Sequence, residues 1–175
     1  MKFTLRQLFF ATVLFSLFCS LAMYLTTSYR ERLAIRTELQ TFGINGVGFG
    51  PQNTIRSIWS HGPIQEQFLV KCKRLEVADF KENAHAAQSI EILAKMDEVK
   101  TLILSLSDVS DTEIARLKSI RGLKHLWLTN TRVTDACIDH LGEIEDLETI
   151  ILGGTSITPQ GIERLRSMMP QLRIR

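Results

Sequence analysis

The side chains with chemical potential are few and scattered. Cys137 and His140 stand three residues apart in a stretch whose apolar spacing predicts a helix, so they could face each other as nucleophile and base. Such a pair also needs an orienting carboxylate and donors for an oxyanion, and neither is recognisable. The corresponding positions 24 residues away carry Glu113 and Gly161, so two surface side chains are the simpler reading. His61, His85, His125 and His140 lack both the spacing and the cysteine neighbours of a zinc site. Cys19, Cys72 and Cys137 cannot build a disulfide framework and leave at least one thiol unpaired. The glycines of Gly43-Ile44-Asn45-Gly46-Val47-Gly48 do not follow the order of a dinucleotide fingerprint. No catalytic residue, metal or cofactor is expected. Twenty-one basic against nineteen acidic residues give a net charge of +2, so no field points to nucleic acid. With 45% hydrophobic residues, the 175-residue chain is far too apolar for disorder.

The positioning elements announce themselves by repetition. Leu75, Val99, Leu123 and Leu147 recur at a step of 24 residues, and Leu172 follows after 25. Ala78, Leu102, Leu126 and Ile150 come three positions later, and Phe80, Leu104, Leu128 and Leu152 two beyond those. Alternation in Leu126-Trp127-Leu128 predicts a short strand with both leucines inward. Spacings of three in Ile138-Leu141-Ile144, echoed at Ile90, Ile114 and Ile162, predict one apolar stripe on a helical half. Between the halves, Asn83, Ser107, Thr131 and Thr155 share one position, where a short polar side chain can satisfy turning backbone. Ser110, Thr134 and Thr158 fall where a helix N-cap belongs, and Ser110 with Glu113 makes a capping box. Pro159 then sits at the first helical position, and Asp111 and Asp135 occupy that same place, where a carboxylate suits the helix dipole. Ala86 breaks the pattern in the first unit, which is expected to be degenerate.

From Leu123 to Leu141 the chain reads L-x-x-L-x-L-x-x-T-x-V-T-D-x-x-I-x-x-L, which resembles a leucine-rich repeat. The whole is similar to bacterial proteins in which one N-terminal membrane helix precedes a few such repeats. The resemblance implies an α/β fold: a short solenoid of about four repeats with parallel concave strands and convex helices. It implies protein recognition as the function, and no catalytic residues. The cysteine-containing subclass carries Cys where this chain has Thr131 and Thr155, so no ubiquitin-ligase role is carried over.

In that register, residues between the inward leucines face outward. One row reads Asp79, Ile103, Trp127, Ile151, and the next Val77, Thr101, His125, Thr149. A third, Glu76, Lys100, Lys124, Glu148, adjoins them. With strands about 4.8 Å apart, Ile103, Trp127 and Ile151 would make an apolar stripe of roughly 10 Å. The expected binding residues are therefore Ile103, Trp127, Ile151, His125, Thr101, Thr149, Lys100 and Lys124, for a protein or peptide partner. A second copy of the chain covering the stripe is the alternative, as a self-associating scaffold at a membrane.

The remaining segments are read as accessories. Residues 7–29 carry no charge between Arg6 and Arg30 and predict a single transmembrane helix, a signal anchor embedded in membrane lipid, over residues 1–29. A cleaved signal peptide, which would make a secreted protein, is the rival. A single-pass membrane location with the repeats outside the cytoplasm follows, although the flanking basic residues barely discriminate. Residues 30–52 read as a helical stalk with Leu33, Ile35, Leu39 and Phe42, ending in a glycine-rich connection. Residues 53–74, with Ile55, Ile58, Trp59, Phe68, Leu69 and Val70, read as a cap on the repeat domain of residues 75–175, and Trp59 as structural.

Overall fold

Strand formation follows the inward triplets. The computed structural model describes residues 5–41, 43–51, 54–66, 72 and 74–175, with side chains from residue 15 onward. The chain divides into two units, Met1–Thr37 and Glu38–Arg175. In the larger unit β3 (Arg74–Asp79), β4 (Glu98–Ile103), β5 (His125–Trp127), β6 (Thr149–Ile151) and β7 (Arg173–Ile174) lie side by side and parallel. Val77 stands opposite Thr101, Thr101 opposite His125, His125 opposite Thr149, and Thr149 opposite Arg173. Leu102, Leu104, Leu126, Leu128 and Ile150 are fully buried on the inner side. Ala78 leaves volume that Phe80, also fully buried, supplies in the same unit.

The helices α2 (Ala86–Leu93), α3 (Asp111–Leu117), α4 (Ile138–Gly142) and α5 (Pro159–Met168) return the chain between strands. A single 3-10 turn, Asp135–Cys137, leads into α4. Three of the helices turn their stripe inward: Ile90 and Leu93, Ile114 and Leu117, Ile138 and Leu141 are fully buried, whereas in α5 only Leu165 is, with Ile162 half-buried and Met168 exposed. Burial of each such side chain stabilises by about 2 kcal/mol before entropy is counted.

The turn after each strand passes through a left-handed residue at the same 24-residue step. Glu82, Leu106, Asn130 and Gly154 have φ of 59°, 60°, 55° and 73°. One residue on from the last three, the hydroxyls of Ser107, Thr131 and Thr155 donate to the carbonyls of Leu104, Leu128 and Leu152 at 2.5, 2.7 and 2.8 Å. Asn83 works differently. Its Nδ2 donates to the carbonyls of Ser60 and Gly62, both at 2.9 Å, and its Oδ1 accepts the His85 amide at 2.7 Å. Asn83 thus fastens the preceding segment to the first unit.

That preceding segment corrects the expected architecture. β1 (Gly46–Phe49) and β2 (Ile55–Trp59) form an antiparallel hairpin, and β2 pairs parallel with β3. The molecule is α/β, with a seven-stranded mixed sheet and five helices among the described residues. It is not an all-parallel solenoid behind a transmembrane helix. Residues expected only to cap the sheet continue it, because Ile58 alternates with outward Ser57 and Trp59 and is itself buried. Two of the glycines that suggested a loose connection, Gly46 and Gly48, are strand residues with no room for a Cβ: one at Gly46 would lie 1.8 Å from the Trp59 indole. Of the expected apolar cap and stalk residues, Phe42, Phe68, Leu69 and Val70 lie outside the described residues.

The N-terminal expectation is corrected as well. α1 runs from Leu5 to Gln40, but among the described residues no helix is long and apolar enough to cross a membrane. The side chains of residues 7–14, the first part of the expected span, lie outside the described residues. The uncharged run of residues 7–29 lies within α1. Ser16, Ser20, Thr26, Thr27 and Ser28 interrupt it, and Arg30, Glu31 and Arg32 follow. The single-pass membrane location, the signal anchor and the lipid contact through residues 7–29 fall with the span. The helix itself continues through the first part of the expected stalk to Gln40, and its last residues belong to the larger unit, where Leu39 is fully buried.

Candidate functional site

The outward face of the sheet is set by strand alternation. Trp59 stands opposite Asp79, Asp79 opposite Ile103, Ile103 opposite Trp127, and Trp127 opposite Ile151. Arg175 continues this row: its amide donates to the Ile150 carbonyl at 3.0 Å and its carbonyl accepts the Leu152 amide at 2.9 Å. The parallel row runs Ser57, Val77, Thr101, His125, Thr149, Arg173. Large apolar side chains usually leave such a surface, yet Trp127 is 40% exposed and Trp59 44%. Ile103 and Ile151, on either side of Trp127, are half-buried.

Beside Trp127 the face opens into a hollow of about 300 Å³. Thr101, His125 and Thr149 form one part of its lining and Ile151, Arg173 and Arg175 the other. Six of the eight residues expected to bind therefore occupy this face together: Thr101, Ile103, His125, Trp127, Thr149 and Ile151. Lys100 and Lys124 do not join them. Lys124 is held by Glu148, Nζ to Oε1 at 2.6 Å, and the hydrogen bond from Lys124 holds the Glu148 carboxyl below its ordinary range. Lys100 lines a different hollow, of about 490 Å³, with Arg56, Arg74, Glu76 and Glu98. There Arg74 bonds Glu98 and Arg56 pairs with Glu76.

No family model matches the chain, and no curated protein matches it. The resemblance to leucine-rich repeats rests on this chain's own residues.

Four residues of the face escaped sequence reasoning: Arg173, Arg175, Trp59 and Ser57. Arg173 and Arg175 follow Thr149 and Ile151 at the same 24-residue step, but the 25-residue step to Leu172 hid that register. Trp59 lies 20 residues before Asp79, outside the period, and only the pairing of β2 with β3 aligns it.

The candidate nucleophile is withdrawn from solvent. Cys137 is fully buried, and burial, reinforced by the neighbouring Asp111 carboxylate, pushes its thiol up to about 12. His140 Nδ1 is buried with no hydrogen-bond partner, so it accepts nothing from Cys137. Cys72 donates to the Arg74 carbonyl at 3.1 Å, and burial raises it to about 11. Among the described residues no three His, Cys, Asp or Glu side chains converge to hold a metal ion.

Asp111 and Asp135 do more than meet a helix dipole. The Asp111 carboxylate accepts the amide and hydroxyl of Thr134 at 2.8 and 2.7 Å, each unit thereby gripping the helix cap of the next. On the outer side, Arg116 pairs with Glu91, Lys118 with Glu143 and Arg164 with Asp139, again between successive units. These exposed pairs each add little stability. The outward sheet face presents two exposed aromatic side chains, Trp59 and Trp127.

Proposed function

We propose that the chain is a non-enzymatic recognition module that binds a protein partner on the outward face of its sheet. One observation carries the reading: Trp127, 40% exposed, stands in a single row between Ile103 and Ile151 and beside an open hollow. An aromatic anchor with aliphatic flanks and a polar surround of Thr101, His125 and Thr149 has the make-up of a binding hot spot. Exposing such a row to water has a cost that binding removes. The thiol chemistry of Cys137, the alternative use of the sequence, has no accessible nucleophile behind it.

A photo-reactive residue at Thr149, in the full chain made in cells, tests this against the same residue at Arg164 on α5. The expected result is a discrete adduct from position 149 alone, lost when Trp127→Glu is added and the unfolding midpoint is unchanged. Equal adducts with and without Trp127→Glu would defeat the proposal. An adduct of twice the chain's mass would make the partner a second copy.

A further inference from the structure

The rows of the outward face are not uniform in charge. Asp79 lies one strand in from one end, where its Oδ1 already accepts the Lys81 amide at 2.9 Å. Arg173 and Arg175 lie at the other, both exposed, and neither forms an ion pair among the described residues. Glu148, whose carboxylate feels Arg173, is engaged by Lys124 at 2.6 Å. Two guanidinium groups with unused donors therefore border the same hollow as Trp127 and Ile151. A planar guanidinium matches a carboxylate through paired hydrogen bonds, and an adjacent apolar wall strengthens that match by lowering the local dielectric.

Resting on the reading of this face as a protein-binding surface, we propose that its occupant is an acidic peptide segment. The apolar side chain of the segment seats against Trp127, between Ile103 and Ile151, and its carboxylate lies between Arg173 and Arg175. The geometry sets the spacing. From the strand of Trp127 to that of Arg175 is two strand separations, about 10 Å. An extended chain covers that distance in about three residues. The preferred segment thus has an Asp or Glu three positions from a large apolar residue, with the acidic end toward β7. A basic segment in this place would meet two like charges, which disfavours it.

Selection of random nine-residue peptides on the full chain tests both the acid and its spacing. Enrichment of an apolar residue and an acid three positions apart is expected. Fluorescence polarisation on a selected peptide should then show about tenfold weaker binding when its acid becomes the amide. The double variant Arg173→Glu, Arg175→Glu should lose the acidic peptide and gain its lysine counterpart, and added salt should weaken the native pair. Unfolding midpoints within about 2 °C of the parent would show these exposed variants folded. A neutral or basic selected pool that Trp127→Glu still abolishes would overturn the acidic preference and leave the face as the binding surface. Binding indifferent to Trp127→Glu would overturn both. No enrichment over an unrelated protein, or a full chain whose mass halves on Trp127→Glu, would overturn the peptide proposal in favour of a folded partner or a second copy.

Discussion

Asp135 grips Thr158 with both carboxylate oxygens, accepting its amide at 2.7 Å and its hydroxyl at 2.6 Å. The same Thr158 hydroxyl accepts the Gly161 amide at 3.1 Å and so caps α5. A Cβ at position 161 would lie 2.2 Å from Asp135 Oδ1, so glycine there leaves room for the carboxylate. Thr158→Ala should cost about 1 kcal/mol, read as a lower urea midpoint. The Thr158 hydroxyl, and then its amide, hold the Asp135 carboxyl below its ordinary range. A lowered folded pKa means a stabilising contribution that is complete above the unfolded value of about 3.9 and disappears as pH falls through the folded value. Asp135→Asn should therefore be less stable than the parent at pH 7, and the gap should shrink on acidification below pH 4. An equal gap at both pH values would disprove the charge-based account.

Leu106 adopts φ of 60° with its side chain 46% exposed. Leucine gains nothing there: the left-handed region costs a residue with a Cβ about 1 kcal/mol or more, and little apolar area is buried in return. Asn130 and Gly154 fill the equivalent turns with residues that tolerate this conformation. Leu106→Asn should accordingly raise stability by about 1 kcal/mol, an increase of about 4 °C in the thermal midpoint. Gly154→Ala should do the opposite, since φ is 73° and the new Cβ would lie 2.0 Å from Asn130 Oδ1. A fall in midpoint for Leu106→Asn would mean that the leucine makes stabilising contacts in solution.

The buried triplets were legible because burial and the 24-residue step coincide: Leu102, Leu126 and Ile150 must meet, whatever lies outside them. Local capping was legible too, since Ser110 and Glu113 are neighbours on one turn and bond as their spacing requires, amide to carboxylate at 2.9 Å. Relations between units were not. Position 137 holds a thiol that leans on Asp111 and position 161 a glycine that admits Asp135, each partner one unit earlier. These are two answers to one packing problem, and pattern alone cannot reveal that the partner is one unit away. The hairpin of β1 and β2 escaped for another reason. Gly46 and Gly48 lower strand propensity, and only the ring of Trp59 and the side chain of Ser57 across from them explain why glycine is required. The apolar run at the N-terminus dominated its hydropathy, while the hydroxyls after Tyr24 and the charges from Arg30 shorten what the described helix can offer a bilayer.

Asn83 is fully buried and satisfies two carbonyls and one amide that belong to different segments. Asn83→Ser cannot reach Ser60 and Gly62, so it leaves buried carbonyls without donors and should cost about 3 kcal/mol. Thr131→Ser keeps its single bond to Leu128 and loses one methyl, so about 1 kcal/mol is expected. Hydrogen exchange would locate the damage. Amides of β1 and β2 should lose protection in Asn83→Ser while those of β5 and β6 keep it. Uniform loss across the sheet would show that Asn83 supports the whole core rather than the junction.

The three thiols should separate cleanly by reactivity. Cys19 is exposed on α1, whereas Cys72 and Cys137 are buried. The thiolate is the reacting species, and with burial holding Cys72 at about 11 and Cys137 at about 12, neither supplies much of it near neutrality. At pH 8 one thiol per native chain should react rapidly with an aromatic disulfide reagent, and the other two more than about a hundredfold more slowly. All three should react at similar rates in strong denaturant. Cys19→Ser should abolish the fast phase without changing the slow one. Asp111→Asn removes both the charge that disfavours the Cys137 thiolate and the grip on Thr134. It should therefore accelerate the Cys137 phase and leave that of Cys72 unchanged. A fast phase that survives Cys19→Ser would show that Cys137 or Cys72 reaches solvent in the native chain.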